Sequence, residues 1–132
     1  MKRTEMDYQN KGPIFLIAEE HDMFRTRLCD LVATHFPNSH VIEANSGSRA
    51  LVKALVYHPD VILMELALPG MGGLETTRLI KKILAESHVV IMTMTEDPLY
   101  DTAAVSVGAN SYIVKNRIGA DLVPILTDLL AA

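Results

Sequence analysis

Five residues from four distant places in this chain could do chemistry together: Glu19, Glu20, Glu65, Thr93 and Lys115. Each follows a short apolar run, "IFLIA" before the acidic pair, "VILM" before Glu65, "VVIM" before Thr93 and "SYIV" before Lys115. An architecture that gathered those ends would assemble carboxylates, a hydroxyl and an ammonium at one edge. Clustered carboxylates suit a hard divalent cation such as Mg²⁺, which prefers oxygen ligands and bridges carboxylates to phosphoryl groups. The chemistry to expect is therefore metal-assisted phosphoryl chemistry. Common nucleotide loops are excluded at the first turn, because "AEEHDMF" has neither G-x-G-x-x-G nor G-x-x-x-x-G-K-[ST] spacing and its acids would repel a phosphate.

The elements that must position these residues are legible from apolar spacing. Ile14 to Ala18, Val41 to Ala44, Val61 to Glu65, Val89 to Thr93 and Ser111 to Lys115 predict five strands. Three of these runs are apolar at consecutive positions, the pattern of parallel strands covered on both faces. Between them, Phe24, Leu28, Leu31 and Val32 mark a first helix, Ala50, Leu51, Ala54 and Leu55 a second, and Leu74, Thr77, Ile80, Ile83 and Leu84 a third. Asp97 followed by Pro98 reads as an N-cap with proline at the first position of a fourth helix, which Gly108 closes with a left-handed residue. A last helix is expected from about Ala120, with Pro124 tolerated in its first turn. Strands alternating with helices predict an open doubly wound α/β sheet, a flavodoxin-like fold with right-handed crossovers. In such sheets ligands bind beyond the carboxyl ends of the strands, where the five chemical residues fall.

The totals bound the function. A chain of 132 residues and 14.5 kDa is one domain, and 49% hydrophobic against 21% charged residues is a globular balance. No apolar run approaches the roughly 18 to 20 residues that cross a membrane, which predicts a soluble protein. Residues 1–12 are polar, with neither an apolar signal core nor a transit-peptide composition, and read as a lead-in before a domain at 13–132. The single cysteine, Cys29, sits among helical apolar residues and is expected to pack as a small hydrophobe in a reducing cytoplasm. With a net charge of −4 and scattered Lys and Arg, direct nucleic-acid binding by this segment is not expected. His21 is expected in solvent and Met92 and Met94 in the core.

At these residues the chain resembles the receiver domains of two-component response regulators, from about Pro13 to Leu130. "FLIAEEHDMFRTRL" is most similar to the receivers that carry LuxR-type output domains. "DVILMELALPGMGGLE" matches the phosphoacceptor strand and loop, "VVIMT" the strand with the switch hydroxyl, and "VGANSYIVK" the strand with the aromatic and the lysine. The resemblance puts Glu19 and Glu20 at the metal-binding acidic pair and Glu65 at the acceptor aspartate. It makes Ala67 the residue whose carbonyl faces the metal, Thr93, with Thr95 as alternative, the switch hydroxyl, Tyr112 the aromatic that turns inward on activation, and Lys115 the partner of the phosphate. It implies phosphorelay signalling without enzymatic turnover and transcription regulation through an output domain. The partners implied are a sensor histidine kinase or other signalling protein, and a second copy of the chain.

Glu65 departs from the pattern. A receiver aspartate attacks a donor phosphorus in line, so rate depends chiefly on position. One added methylene moves the carboxylate by about 1.5 Å, and misplacement of about 1 Å costs on the order of a hundredfold. Impaired or absent phosphorylation is expected. Two roles for the glutamate remain open: partial imitation of the phosphorylated aspartate through Thr93 or Lys115, or a pocket whose extra bulk fills the place of Mg²⁺ and phosphate. Three carboxylates facing Lys115 would require a cation or a raised carboxyl pKa. The alternative function is a metal-dependent phosphoryl hydrolase built on the acidic cluster.

Overall fold

The computed structural model describes residues 12–132. The expected lead-in at 1–12 therefore lies outside the described residues except for Gly12. The chain forms β1 (Ile14–Ala18), α1 (Asp22–His35), β2 (His40–Ala44), α2 (Gly47–Tyr57), β3 (Val61–Glu65), α3 (Gly73–Ile83), β4 (His88–Thr93), α4 (Pro98–Ser106), β5 (Ser111–Val114), a 3₁₀ turn (Lys115–Arg117) and α5 (Ile118–Ala131). All strand pairs are parallel and the order is β2-β1-β3-β4-β5, the doubly wound topology expected.

β1 and β3 are buried along their whole lengths because helices cover both faces of the sheet. Phe15, Ile17, Val61, Leu63, Val90 and Met92 point to one face and join Leu28, Val32, Leu122 and Leu126 of α1 and α5. Leu16, Ile62, Met64, Val89 and Ile91 point to the other face, where Ala50 and Ala54 of α2, Ile80 of α3 and Ala104 of α4 meet them. Fully burying one large aliphatic side chain is worth about 1.5–3 kcal/mol, so these two layers dominate the stability. Cys29 packs, half-buried, against the first of them.

Several boundaries differ from the sequence reading. β5 stops at Val114, and Lys115 opens the 3₁₀ turn that leads directly into α5. α5 accordingly begins at Ile118 rather than Ala120, and Pro124 lies inside it rather than in the first turn. The missing N–H forfeits a bond to the Ala120 carbonyl, and both residues are exposed, so water can satisfy that oxygen. Helical spacing overstated two core positions and the run around Thr93 a third: Leu55 is 39%, Ile83 61% and Met94 70% exposed. Leu55 and Ile83 lie on helix flanks turned from the sheet, and Met94 lies beyond the end of β4. Gly108 has φ 91°, the left-handed residue expected behind α4. Asp97 caps α4 by accepting a bond from the Leu99 amide at 2.9 Å.

Candidate functional site

Strand order reverses at β1 and β3, so the ends of these strands diverge into loops on opposite faces and leave a crevice. Glu19 follows β1 there and Glu65 ends β3. Lys115 enters from the end of β5, its register fixed by the β4 pairing of Thr93 with Val114.

The first loop is pinned by its own polar atoms. His21 is the N-cap of α1, its exposed ring Nδ1 accepting from the Phe24 amide at 3.2 Å, while its amide donates to Glu19 Oε2, also at 3.2 Å. Arg25 clamps the turn from behind. Its guanidinium donates to the carbonyls of Glu19 at 2.9 Å and Glu20 at 3.4 Å, and pairs with Asp22 at 2.7 Å and Glu43 at 3.0 Å. Glu19 is consequently turned inward and 2% exposed, whereas Glu20 is exposed.

The third loop is held against the strand end by close backbone approach. Gly70 and Gly72 take positive φ, and the Gly73 amide donates to the Leu66 carbonyl at 2.9 Å. A Cβ at Gly73 would come within 2.1 Å of the Glu65 carbonyl oxygen, so only glycine lets α3 start so near. The Leu66 amide donates to Glu65 Oε2 at 3.0 Å as well as to the Met92 carbonyl at 2.8 Å. Glu65 is thereby held at 5% exposure.

Lys115 joins the two acids. Its Nζ bonds Glu19 Oε1 and lies 3.0 Å from Glu65 Oε1, and the Phe24 ring covers it with its centroid 4.4 Å away. Burial pushes the Glu65 carboxyl above its ordinary range, Lys115 pulls it down, and Glu19 pushes it up again, with the upward effects prevailing. Burial alone would lower the Lys115 pKa, but the hydrogen bonds to Glu19 and Glu65 outweigh it and raise the value. A surplus of acids predicts a raised carboxyl; the first cause here is burial, and the neighbouring acid Glu19 adds to it. The cluster nevertheless differs from the expectation of three carboxylates around one lysine. Two meet it, because the turn that buries Glu19 directs its neighbour Glu20 to solvent.

The residues expected to act as the switch, Thr93 and Tyr112, bond outside this cluster. Thr93 is 3% exposed and its hydroxyl donates to the Thr95 carbonyl at 3.3 Å. The half-buried Tyr112 hydroxyl donates to the same carbonyl, also at 3.3 Å. Thr95 itself and Ala67 are exposed. Sequence reasoning placed Phe24 in the helix core and did not single out Arg25. The Asp22 to Arg25 spacing on one helical face was the available signal for the clamp; the aromatic cap had none.

Magnesium, which the resemblance implies, does not fit this donor set. Each oxygen of Glu19 and Glu65 already accepts from Lys115, the His21 amide or the Leu66 amide. Among the described residues there is no group of three or more His, Cys, Asp or Glu able to hold a metal ion. Nor, among them, is any helix long and apolar enough to cross a membrane.

A doubly wound sheet with acids, hydroxyl and lysine at its carboxyl edge defines a class, and sequence comparison agrees with it. Residues 15–127 match the response regulator receiver domain, and the chain belongs to that family, the signalling domains of two-component systems. It is 34% identical to response regulator GacA of Pseudomonas viridiflava over 108 residues, 82% of this chain and 50% of that protein. It is 33% identical to response regulator protein VraR of Staphylococcus aureus over 81% of this chain and 51% of that protein. The chain thus spans about half the length of the curated relatives it matches. The crystal structure of a LuxR-family two-component response regulator from Aurantimonas superposes with a TM-score of 0.85 at 28% identity, covering 92% of this chain and 86% of that one.

Proposed function

We propose that this chain is an atypical receiver domain that signals through protein contacts and takes no phosphoryl group on Glu65. The observation that carries this reading is the bond from Lys115 to Glu65 in the buried crevice. In a receiver this lysine pairs with the incoming phosphate, and here it is bonded both to the residue at the acceptor position and to Glu19. The longer arm of Glu65 compounds this, because in-line attack depends on position. Its imitation of a phosphorylated aspartate is partial: Glu65 reaches Lys115, whereas the Thr93 hydroxyl is turned to Thr95.

The working surface in this reading is formed by α4, β5 and α5. A groove of about 470 Å³ runs there between Asp97, Pro98, Tyr112, Arg117 and Ile125. Leu99 and Val105 stand 76% and 71% exposed on α4. A sensor kinase, another signalling protein or a second copy would dock on this face in the cytoplasm. A DNA-binding output part belongs, by this reading, to the portion of the relatives that the chain does not span, consistent with a net charge of −4. Nothing in the crevice favours the phosphoryl hydrolase.

Incubation with acetyl phosphate and Mg²⁺ followed by intact mass measurement tests the proposal, with Glu65→Asp alongside. The unaltered protein is expected to stay unmodified while Glu65→Asp gains a phosphoryl adduct. An adduct on the unaltered protein overturns the reading.

A further inference from the structure

An ammonium has three N–H bonds, and three groups meet that of Lys115: the Glu19 carboxylate, the Glu65 carboxylate and the Phe24 ring. From this we infer that Lys115 is the built-in cation of the crevice, closed off by Phe24, and that the crevice takes no divalent metal. The inference rests on the functional reading above and extends it to the pocket's regulation: its charge state is set internally and is independent of Mg²⁺.

The place between the two acids is already held by a cation. Mg²⁺ requires near-octahedral oxygen ligands at about 2.0–2.1 Å and gives up its waters reluctantly. The two inward carboxylates offer four oxygens, all of which accept hydrogen bonds from within the protein. The remaining acid of the expected metal set, Glu20, faces solvent. A metal could bind the pair only after expelling the ammonium, and the Lys115 side chain, 12% exposed, would then lose both of its carboxylate partners. Phe24 makes that displacement harder. The ring is half-buried, packs on the core layer beneath α1 and turns its negative face to Nζ. Phe24 is thus a positioning residue that acts through Lys115. An aliphatic residue there could fill the same volume but could not attract the cation.

NMR on the intact chain separates this role from simple packing. The ε-methylene protons of Lys115 should be shifted upfield by the ring, retain that shift in Phe24→Tyr and lose it in the folded Phe24→Leu variant. Titration with MgCl₂ through the millimolar range, against NaCl of equal ionic strength, should give no saturable shift at the amides of Glu19, Glu20, Glu65 and Ala67. Lys115 ε protons at ordinary positions, or a saturable Mg²⁺ response in the unaltered protein, overturns the inference. A Mg²⁺ response without a phosphoryl adduct overturns this inference and spares the functional reading; an adduct on Glu65 overturns that reading directly.

Discussion

Two lysines, one at each end of the sheet, each use three contacts, yet their surroundings drive them in opposite directions. Lys115, at the carboxyl end, meets two buried carboxylates and an aromatic face. Lys81, in the last turn of α3 near the amino ends of β4 and β5, donates to the carbonyls of Ala85 at 2.9 Å and Ser87 at 2.8 Å and to Asn110 Oδ1 at 3.1 Å. The neutral acceptors of Lys81 do not compensate its burial, and its pKa falls; the charged partners of Lys115 overcome burial, and its pKa rises. Lys81 makes three hydrogen bonds and Lys115 bonds only two carboxylates, so the difference lies in partner charge and not in hydrogen-bond number. The lesson is that the amino end uses a lysine to tie loops together, whereas the carboxyl end uses one to hold acids that would otherwise repel.

A hollow of about 700 Å³ lies at that amino end, between His58, Ser87, His88, Asn110 and Leu129. It contains none of the residues of the carboxyl-end cluster. In the functional reading proposed above, the convergence of charged side chains, and not the size of a hollow, marks the working end of this sheet.

The contrast can be broken most directly by removing each cation. Lys115→Met leaves Glu19 and Glu65 buried without their counter-charge, and breaking such a pair costs about 3–5 kcal/mol. Urea denaturation at neutral pH should show a loss of that order. Lys81→Met strands neutral, partly solvated acceptors and should cost about 1–2 kcal/mol in the same measurement. Equal losses would show that partner charge is not what distinguishes the ends.

Alkaline pH sharpens the contrast by sign. The folded pKa of Lys115 lies above its unfolded value, so the stability it contributes is complete below the unfolded value and is lost as pH rises through the folded one. For Lys81 the folded value lies below, so the penalty of burying its charge is relieved as pH rises from the folded toward the unfolded value. Denaturation of the protein and of each Met variant across this range should give differences from the unaltered chain that slope oppositely. Slopes of the same sign would contradict the pairing assigned to Lys115.

The smallest effect is expected from Glu65→Gln. The folded pKa of Glu65 is raised, so the unaltered protein loses stability relative to the glutamine variant as pH rises from the ordinary glutamate range through the folded value. Thermal melts of both proteins between acid and neutral pH should diverge modestly in that direction. A difference that stays flat, or slopes the other way, would place Glu65 outside the strained part of the cluster.

Much of this was legible in the sequence because it depends on local pattern. Consecutive apolar residues in "IFLIA" and "VILM" require a strand covered on both faces, and the polar residue that ends each run must emerge at the same edge of a parallel sheet. Asp97 with Pro98, and Gly108 ten residues beyond Pro98, set the limits of α4 through cap and backbone conformation alone. The fold and the arrival of Glu19, Glu65, Thr93 and Lys115 at one edge therefore follow from periodicity, punctuation and chain order. The direction of each side chain does not. Glu19 and Glu20 are the same residue type in adjacent positions, and the clamp of Arg25 with the inward bond to Lys115 decides that one is buried and the other in water. Phe24 carried an ordinary helical signature, and its place over Lys115 arises only when α1 and the end of β5 meet in space. Lys81 is likewise one charge among many until three acceptors from two loops converge on it. Such outcomes are set by distances between segments remote in the chain, where competing hydrogen bonds and desolvation are balanced only after the sheet has formed.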